Sequence, residues 1–414
     1  MREVFANRQF RKLFFSNLFS GFGQGMTMIG IAWYLVETTG SAELLGSTMF
    51  VSAVLMFVVG PYIGTLIDRF SRKRMLLAEH VIGFAVLAAL AMWGFFGPYT
   101  KWMLVAVYLV TTLMFQIHYP SQSALVQEMF EPRHYNDINS LLEIEGQTSS
   151  VLAGGIAGFL LEAYGLHVVL LINACTYLAA FGLMATMAYT FTLEREVRNN
   201  SGVNWVGQLL QSWHYIREKR GFLLFGIAAL MPFIAVMAGN LLKPVYVNQT
   251  LKADVTVFSL GETAYAIGAV AAGFLVAAVT RKYGQVPALV GNTLLFAVVM
   301  AVMVALPYGW ALIGAYMVFG WCNASVRLIR QSLYMTVVPK PFMGRVMSFF
   351  NSLGMMMRLL LIGVFTWMID RTGAGMGYLV LAGLLLLAAV GIVGTMRHLL
   401  DEQSGQSAVA TKER

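Results

Sequence analysis

Among the charged residues that interrupt otherwise apolar stretches, three carboxylates and four cations stand out. Glu79, Glu143 and Glu145 fall in the first half of the chain, and Lys243, Arg327, Arg330 and Arg358 in the second. A carboxyl group held away from water can exchange a proton near neutral pH, which makes such a group a candidate for proton coupling. Glu145 is the leading candidate on that reasoning, with Glu79 (beside His80) and Glu143 behind it. Glu143 and Glu145 are two residues apart, about 200° around a helix, so they cannot share a face. Among the cations, Arg358 lies deepest in its stretch. Asn351 and Gly354 precede it by seven and four residues, which puts all three on one helical face. Asn323, Arg327 and Arg330 form a second polar face at the same spacings. Asn17 and Gln24 are seven apart in the first apolar stretch, and Gln116, His118, Tyr119 and Gln122 cluster in the fourth. Polar groups that are costly in hydrocarbon usually face a bundle interior and serve function. Arg358, Asn351, Gln24, Asn17, Gln116, Tyr119, Arg330 and Asn323 are therefore expected to line a site for a small molecule, with a structural ion pair as the competing role for Arg358. Lys243 and Glu262 could meet as a gate pair near the outer ends of their helices.

The elements that must position these groups are membrane helices. The chain has 414 residues, of which 58% are hydrophobic and 12% charged, against about 25% charged in a typical soluble domain. Apolar runs of membrane length recur at roughly 10–36, 44–67, 75–97, 102–129, 138–163, 167–191, 222–247, 257–280, 286–306, 310–336, 346–369 and 375–397. Backbone polar groups in lipid must be satisfied internally, so each run is expected to be a helix. Of the 28 Lys and Arg, 21 fall in segments that this topology places on one side, three (Lys101, Lys252, Arg371) on the other and four within spans. That bias predicts both termini in the cytoplasm, with the multi-pass chain in the cell inner membrane. The net charge of +8 therefore reflects topology rather than a nucleic-acid partner.

The two cysteines lie inside apolar runs and suit neither a disulfide framework nor a metal cluster. No catalytic triad, phosphate-binding loop or metal-ligand spacing is visible, so no enzymatic activity, metal or cofactor is expected. The predicted layout is a six-helix bundle over 1–191, a cytoplasmic linker over 192–220, a second six-helix bundle over 221–397 and a cytoplasmic tail over 398–414. The linker places Trp205, Leu209, Trp213 and Ile216 at spacings that suit a helix lying on the membrane surface. The two halves echo each other: Pro132-Arg133-His134-Tyr135 is matched 207 residues later by Pro339-Lys340-Pro341-Phe342.

The turn Gly60-Pro-Tyr-Ile-Gly64-Thr-Leu-Ile-Asp68-Arg69-Phe-Ser71-Arg72-Lys73-Arg74 resembles the signature loop of the major facilitator superfamily. The segment Pro339-Lys-Pro-Phe-Met-Gly344-Arg345-Val346, with Phe10-Arg-Lys-Leu-Phe14 and Thr38-Thr-Gly-Ser-Ala42, resembles its macrolide-efflux and siderophore-exporter branch. The resemblance implies an all-α membrane protein with twelve transmembrane helices in two pseudo-symmetric six-helix bundles. It implies that Asp68 meets the start of span 11 and that Arg69, Arg72 and Lys73 brace the cytoplasmic side. Gly64 would allow close helix approach there, and Gly344 and Arg345 join the gating set. This chain departs from the family at Ser71, where a glycine is usual, and at Thr111, where proton-coupled exporters usually carry an arginine. Span 5 carries Gly146, Ser150, Gly154 and Gly158 every four residues, a stripe suited to tight packing.

These features predict a monomeric secondary exporter that works by alternating access and moves a small amphipathic molecule of the drug or macrolide type outward by proton antiport. Two alternatives stand beside it: export of an anionic metabolite such as a siderophore, and translocation of a lysolipid from the bilayer.

Overall fold

The computed structural model describes residues 2–40, 42–131, 134–189, 216–217, 221–338 and 340–412. Side chains at 39, 61, 64–69, 136, 335–337, 340–345, 348 and 396–412 are outside that description. After a short α1 (Arg2–Ala6), twelve long helices follow among the described residues. They are α2 (Arg8–Thr39), α3 (Ala42–Arg69), α4 (Arg72–Phe96), α5 (Lys101–Met129), α6 (Tyr135–Tyr164), α7 (Leu166–Ala185), α8 (Phe222–Val245), α9 (Val255–Tyr283), α10 (Gln285–Ala305), α11 (Gly309–Val337), α12 (Lys340–Thr372) and α13 (Ala374–Lys412). All twelve expected spans are helices, and no strand occurs among the described residues. The seventh span ends in a π-helical turn, Tyr246–Thr250. α7 stops at Ala185, short of the expected 191. α13 runs on to Lys412, past 397.

Ten of the twelve are long and apolar enough to cross a bilayer by length and composition. The two that fall short are α2 and α6. Their apolar runs are diluted by Ser16, Asn17, Ser20 and Gln24 on one, and by Glu143, Glu145, Gln147, Ser149 and Ser150 on the other. These two helices carry Asn17, Gln24, Glu143 and Glu145 among the candidate polar residues.

Helix ends follow local chemistry. Asn7 caps α2 by accepting from the backbone N–H of Gln9 at 2.8 Å and of Phe10 at 3.3 Å, and α2 ends on Gly40 with φ +64°. A left-handed residue at this position satisfies the last carbonyls, and glycine adopts it without strain. Ser71, the departure from the family loop, is the N-cap of α4, with its hydroxyl accepting from the N–H of Arg74.

The helices pack into two compact units, Met1–Gly202 with Val247–Ala266, and Val203–Tyr246 with Ile267–Arg414. In the first unit α2 packs on α5, α6 and α7, and α4 packs on α5 and α7. In the second, α8 packs on α11, α12 and α13, and α10 packs on α11 and α13. Numbering each set of six from its first helix, the neighbour scheme is the same: first on fourth, fifth and sixth, third on fourth and sixth. The opening part of α9 belongs to the first unit, where α6 meets it along half of the small-residue stripe. A Cβ at Gly154 would stand 2.5 Å from Thr263 Oγ1, and one at Gly158 2.1 Å from Ser259 Oγ, whereas Gly146 has nothing within 4 Å.

Candidate functional site

The first unit brings four helices together around its titratable groups. On α4, Glu79 is 3% exposed and His80 fully buried. His118 on α5 sets Nδ1 3.1 and 3.0 Å from the two Glu79 carboxylate oxygens. The imidazole spans both oxygens, an ion-pair geometry when it carries its second proton. The His80 ring lies 6.1 Å from that of His118 and 5.7 Å from that of Tyr177 on α7.

Glu145 on α6 is the third member, 6% exposed. Its Oε1 accepts from Ser149 Oγ at 3.3 Å, and Asn17 of α2 flanks it. His118 lies within electrostatic range of Glu145 as well as Glu79. Glu79 lies seven residues into α4, His118 eleven from the end of α5 and Glu145 ten into α6, so all three stand about 10–16 Å from their nearer helix ends. The three helices are 25, 29 and 30 residues long, so the cluster lies away from both ends of each.

The other sequence candidates of this unit are placed differently. Glu143 is exposed and accepts from Gln147 Nε2 at 3.1 Å. Gln24 Nε2 donates to the Thr111 carbonyl at 3.2 Å, so α2 and α5 are bridged at the level where an arginine is absent. Close approach of α2 to α7 at this level needs Gly23, since a Cβ there would stand 2.1 Å from Thr176 Oγ1 and 2.4 Å from Asn173 Oδ1. Gln116 is half-buried and Tyr119 exposed.

At the basic end of the first unit, where α3 turns into α4, two of the expected gate cations have partners within the unit. Arg72 is buried. Its Nη1 donates to the Phe70 carbonyl at 3.0 Å, and its Nε lies 3.9 Å from Glu128. The Tyr189 hydroxyl donates to the same carboxylate. Burial and the Glu128 carboxylate push the Tyr189 phenol up, which keeps it a donor. Lys73 Nζ donates to the carbonyls of Ala185 at 2.8 Å and Met187 at 2.6 Å, and Lys12 reaches that of Thr186. Both lysines meet the negative end of the α7 dipole. The side chains of Gly64, Asp68, Arg69, Gly344 and Arg345, and the linker helix except Ile216 and Arg217, lie outside the described residues.

The second unit holds the cations. Lys243, 1% exposed, sets its ammonium 4.0 Å from the centroid of the Tyr316 ring, and the Tyr316 and Tyr378 hydroxyls share a hydrogen bond of 2.7 Å. Glu262, its expected partner, belongs to the first unit. Arg330 is 8% exposed and donates from Nη1 to the Ala229 carbonyl of α8 at 3.0 Å. Arg327 and Asn351 are exposed, and Asn323 and Arg358 half-buried.

Twelve long helices fall in two units with one neighbour scheme, and ionisable groups are held among the helices of each. The Major Facilitator Superfamily model matches residues 13–249 and 224–413. The chain belongs to that superfamily. Its members move solutes across membranes, so the protein is a multi-pass secondary transporter rather than an enzyme. It is similar to macrolide efflux protein A of Streptococcus pyogenes, 20% identical over 385 residues that cover 89% of this chain and 93% of that protein. It is also similar to the Na(+), Li(+), K(+)/H(+) antiporter of Planococcus maritimus, 23% identical over 402 residues, 90% and 92% of the two chains. Among solved structures, a point mutant of the nucleoside transporter NupG has the same fold, with a TM-score of 0.71 at 14% identity over 94% of this chain and 100% of that one.

The importance of His118 was not legible beforehand. The sequence signal was a histidine in an apolar run, but Glu79 is 39 residues away, and only the packing of α4 on α5 pairs them.

Proposed function

We propose that the protein is a proton-coupled exporter of a small amphipathic molecule, seated in the cell inner membrane with both termini in the cytoplasm. The observation that carries this reading is the cluster in which His118, partly buried, meets the buried Glu79 beside the buried Glu145. A carboxylate paired with an imidazole, with a second carboxyl group in electrostatic range, can take up or release one proton while keeping its net charge small. Antiport needs such a group, because cargo and proton must be exchanged for one another across the same barrier. Glu145 is the exchanging carboxyl group. Glu79 holds His118, and His118 balances the charge when Glu145 ionises. One proton moving down a pH step of one unit and a potential of about 100 mV releases about 3.7 kcal/mol, enough to hold about a 500-fold cargo gradient.

Outward direction is supported by similarity to a macrolide efflux protein over nearly the whole chain, and proton exchange by similarity to a cation/proton antiporter. The orientation rests on the excess of Lys and Arg in the segments assigned to the cytoplasm. The gate assigned to Asp68, Arg69, Gly64, Gly344 and Arg345 stays part of this proposal. Arg72 and Lys73 would stiffen the first unit's cytoplasmic end through Glu128 and the α7 terminus.

The test is proton release from proteoliposomes loaded with a pH-sensitive dye and challenged with a transported amphipathic drug, found by screening acidic and basic compounds. The wild-type protein should couple the drug to proton movement. Glu145→Gln should abolish the proton signal while drug counterflow continues. Proton movement that persists in Glu145→Gln would remove Glu145 from the coupling role.

A further inference from the structure

In the second unit, the spans carry a single acid. Between Phe222 and Tyr246 and between Ile267 and Arg397 the sequence holds Lys243, Arg281, Lys282, Arg327, Arg330, Lys340, Arg345, Arg358, Arg371 and Arg397, but only Asp370 among Asp and Glu. Arg330 is seven residues from the end of α11 and Asp370 thirty residues into α12, so the two stand about 10 and 45 Å along their helices from the turn that joins them. No acid within these spans can reach Arg330.

Pro232 lacks the N–H that would bond a carbonyl four residues back, which opens α8 at this level. Arg330 Nη1 donates to the carbonyl of Ala229, the residue after Ala228, whose carbonyl Pro232 leaves without its helical partner. Arg330 Nε has no hydrogen-bond partner among the described residues, and neither has the hydroxyl of Tyr334, which is 1% exposed. The two residues are four apart on α11, one turn along the same face, so both side chains with an unused donor start from the same side of the helix. The Tyr334 ring is fixed by stacking on Phe350 at 5.4 Å and by edge contacts with Phe222 at 6.0 Å and Phe225 at 6.2 Å. An unpaired guanidinium in such apolar surroundings costs several kcal/mol, a cost that an oxyanion would relieve.

We infer that Arg330 and Tyr334 form an oxyanion site in the second unit, which takes the carboxylate or phosphate of an acidic cargo. Arg330 supplies charge and the Nε–H donor, and Tyr334 supplies the O–H. The inference deepens the transport reading by naming the cargo's chemical class and does not depend on how transport is driven.

The test measures binding at equilibrium, with no gradient, by thermal shift and tryptophan fluorescence of the full-length protein in detergent. The probes are salicylate, phenyl phosphate, lysophosphatidic acid, benzyl alcohol and benzyltrimethylammonium. The anions should bind and the neutral and cationic probes should not. Arg330→Lys, which keeps the charge but loses Nε–H, and Tyr334→Phe, which loses only the hydroxyl, should each weaken salicylate binding about tenfold or more. Unchanged elution and melting without ligand would show that both variants fold. Binding of lysophosphatidic acid without salicylate or phenyl phosphate assigns the oxyanion to a lipid, and the reverse to a soluble solute. Equal binding of neutral and cationic probes, absence of binding by every anion, or anion affinity unchanged in both variants would overturn the inference. The binding readout uses no gradient and the variants lie only in the second unit, so failure of the proton-coupling reading leaves this result standing, and the converse holds.

Discussion

The two units share a neighbour scheme but handle buried charge in opposite ways. In the first, Glu79 has His118 at 3.0 Å, Glu145 has Ser149 at 3.3 Å, and Lys73 has two carbonyls at the end of α7. Each charge is answered by a partner from the same unit. In the second, Arg330 has one backbone carbonyl, and the nearest stretches of sequence contain no acid to match it. The lesson is that duplicating a helix scaffold constrains backbone geometry and leaves charge free to specialise. One copy gathers carboxyl and imidazole groups beside each other, while the other sets Arg330 apart from any acid of its own spans.

The largest effect that would break this contrast is on transport. Glu145→Gln should lower pH-driven efflux by about 100-fold or more, as expected when a proton-transfer group is removed, whereas Arg327→Gln in the other unit should leave proton release per cargo unchanged. Dye-loaded proteoliposomes read both. If the two variants lose coupling equally, the division of labour fails.

Stability gives the next test. His118→Leu leaves Glu79 buried without its partner, and breaking a buried pair from one side costs about 3–5 kcal/mol. Arg330→Met removes a cation that has no acid within reach in the spans of its unit, so unfolding in detergent should be unchanged or stabilised. A large loss of melting temperature in Arg330→Met would mean that its charge is compensated after all. The double variant His118→Leu/Glu79→Leu should recover part of the His118→Leu loss, with a coupling energy of about 1–3 kcal/mol.

Packing sharpens the comparison on a smaller scale. Gly23→Ala forces a Cβ to within 2.1 Å of Thr176 Oγ1 and should cost about 1–3 kcal/mol by overpacking. Gly354→Ala has Leu230 at 3.8 Å as its nearest neighbour, an ordinary contact. It should gain up to about 1 kcal/mol, because alanine is the better helix former. Melting curves of the two variants should move in opposite directions.

The smallest effect concerns the α7 end. Lys73→Ala removes a cation from a helix C-terminus, worth about 0.3–1 kcal/mol and less in high salt. A melting shift that persists in about 1 M salt, where screening reaches only about 3 Å, would show that Lys73 does more than satisfy that terminus.

Much of this was readable in the chain. Twelve apolar runs of membrane length, separated by turns, leave helices as the remaining choice, because lipid offers the backbone no other partners. The break of the first helix at Gly40 falls in the gap between the first two expected runs. The separate faces of Glu143 and Glu145 follow from helical period alone, and the structure sets one exposed and the other buried. The division of acids and cations between halves is plain from order along the sequence. What could not be read is which face of each helix meets which neighbour. Helix rotation is set by packing of side chains from distant segments, such as Gly23 against Asn173 and Thr176. That packing turns Glu79 and His118 toward each other across 39 residues, gives Lys73 to the end of α7 rather than leaving it a bare topological charge, and places Arg330 on a carbonyl next to a proline break. The sequence by itself determined which groups would be costly in the membrane. Only the tertiary structure decided which of them have their cost met, because partners come from other helices and contact requires both depth and rotation to agree.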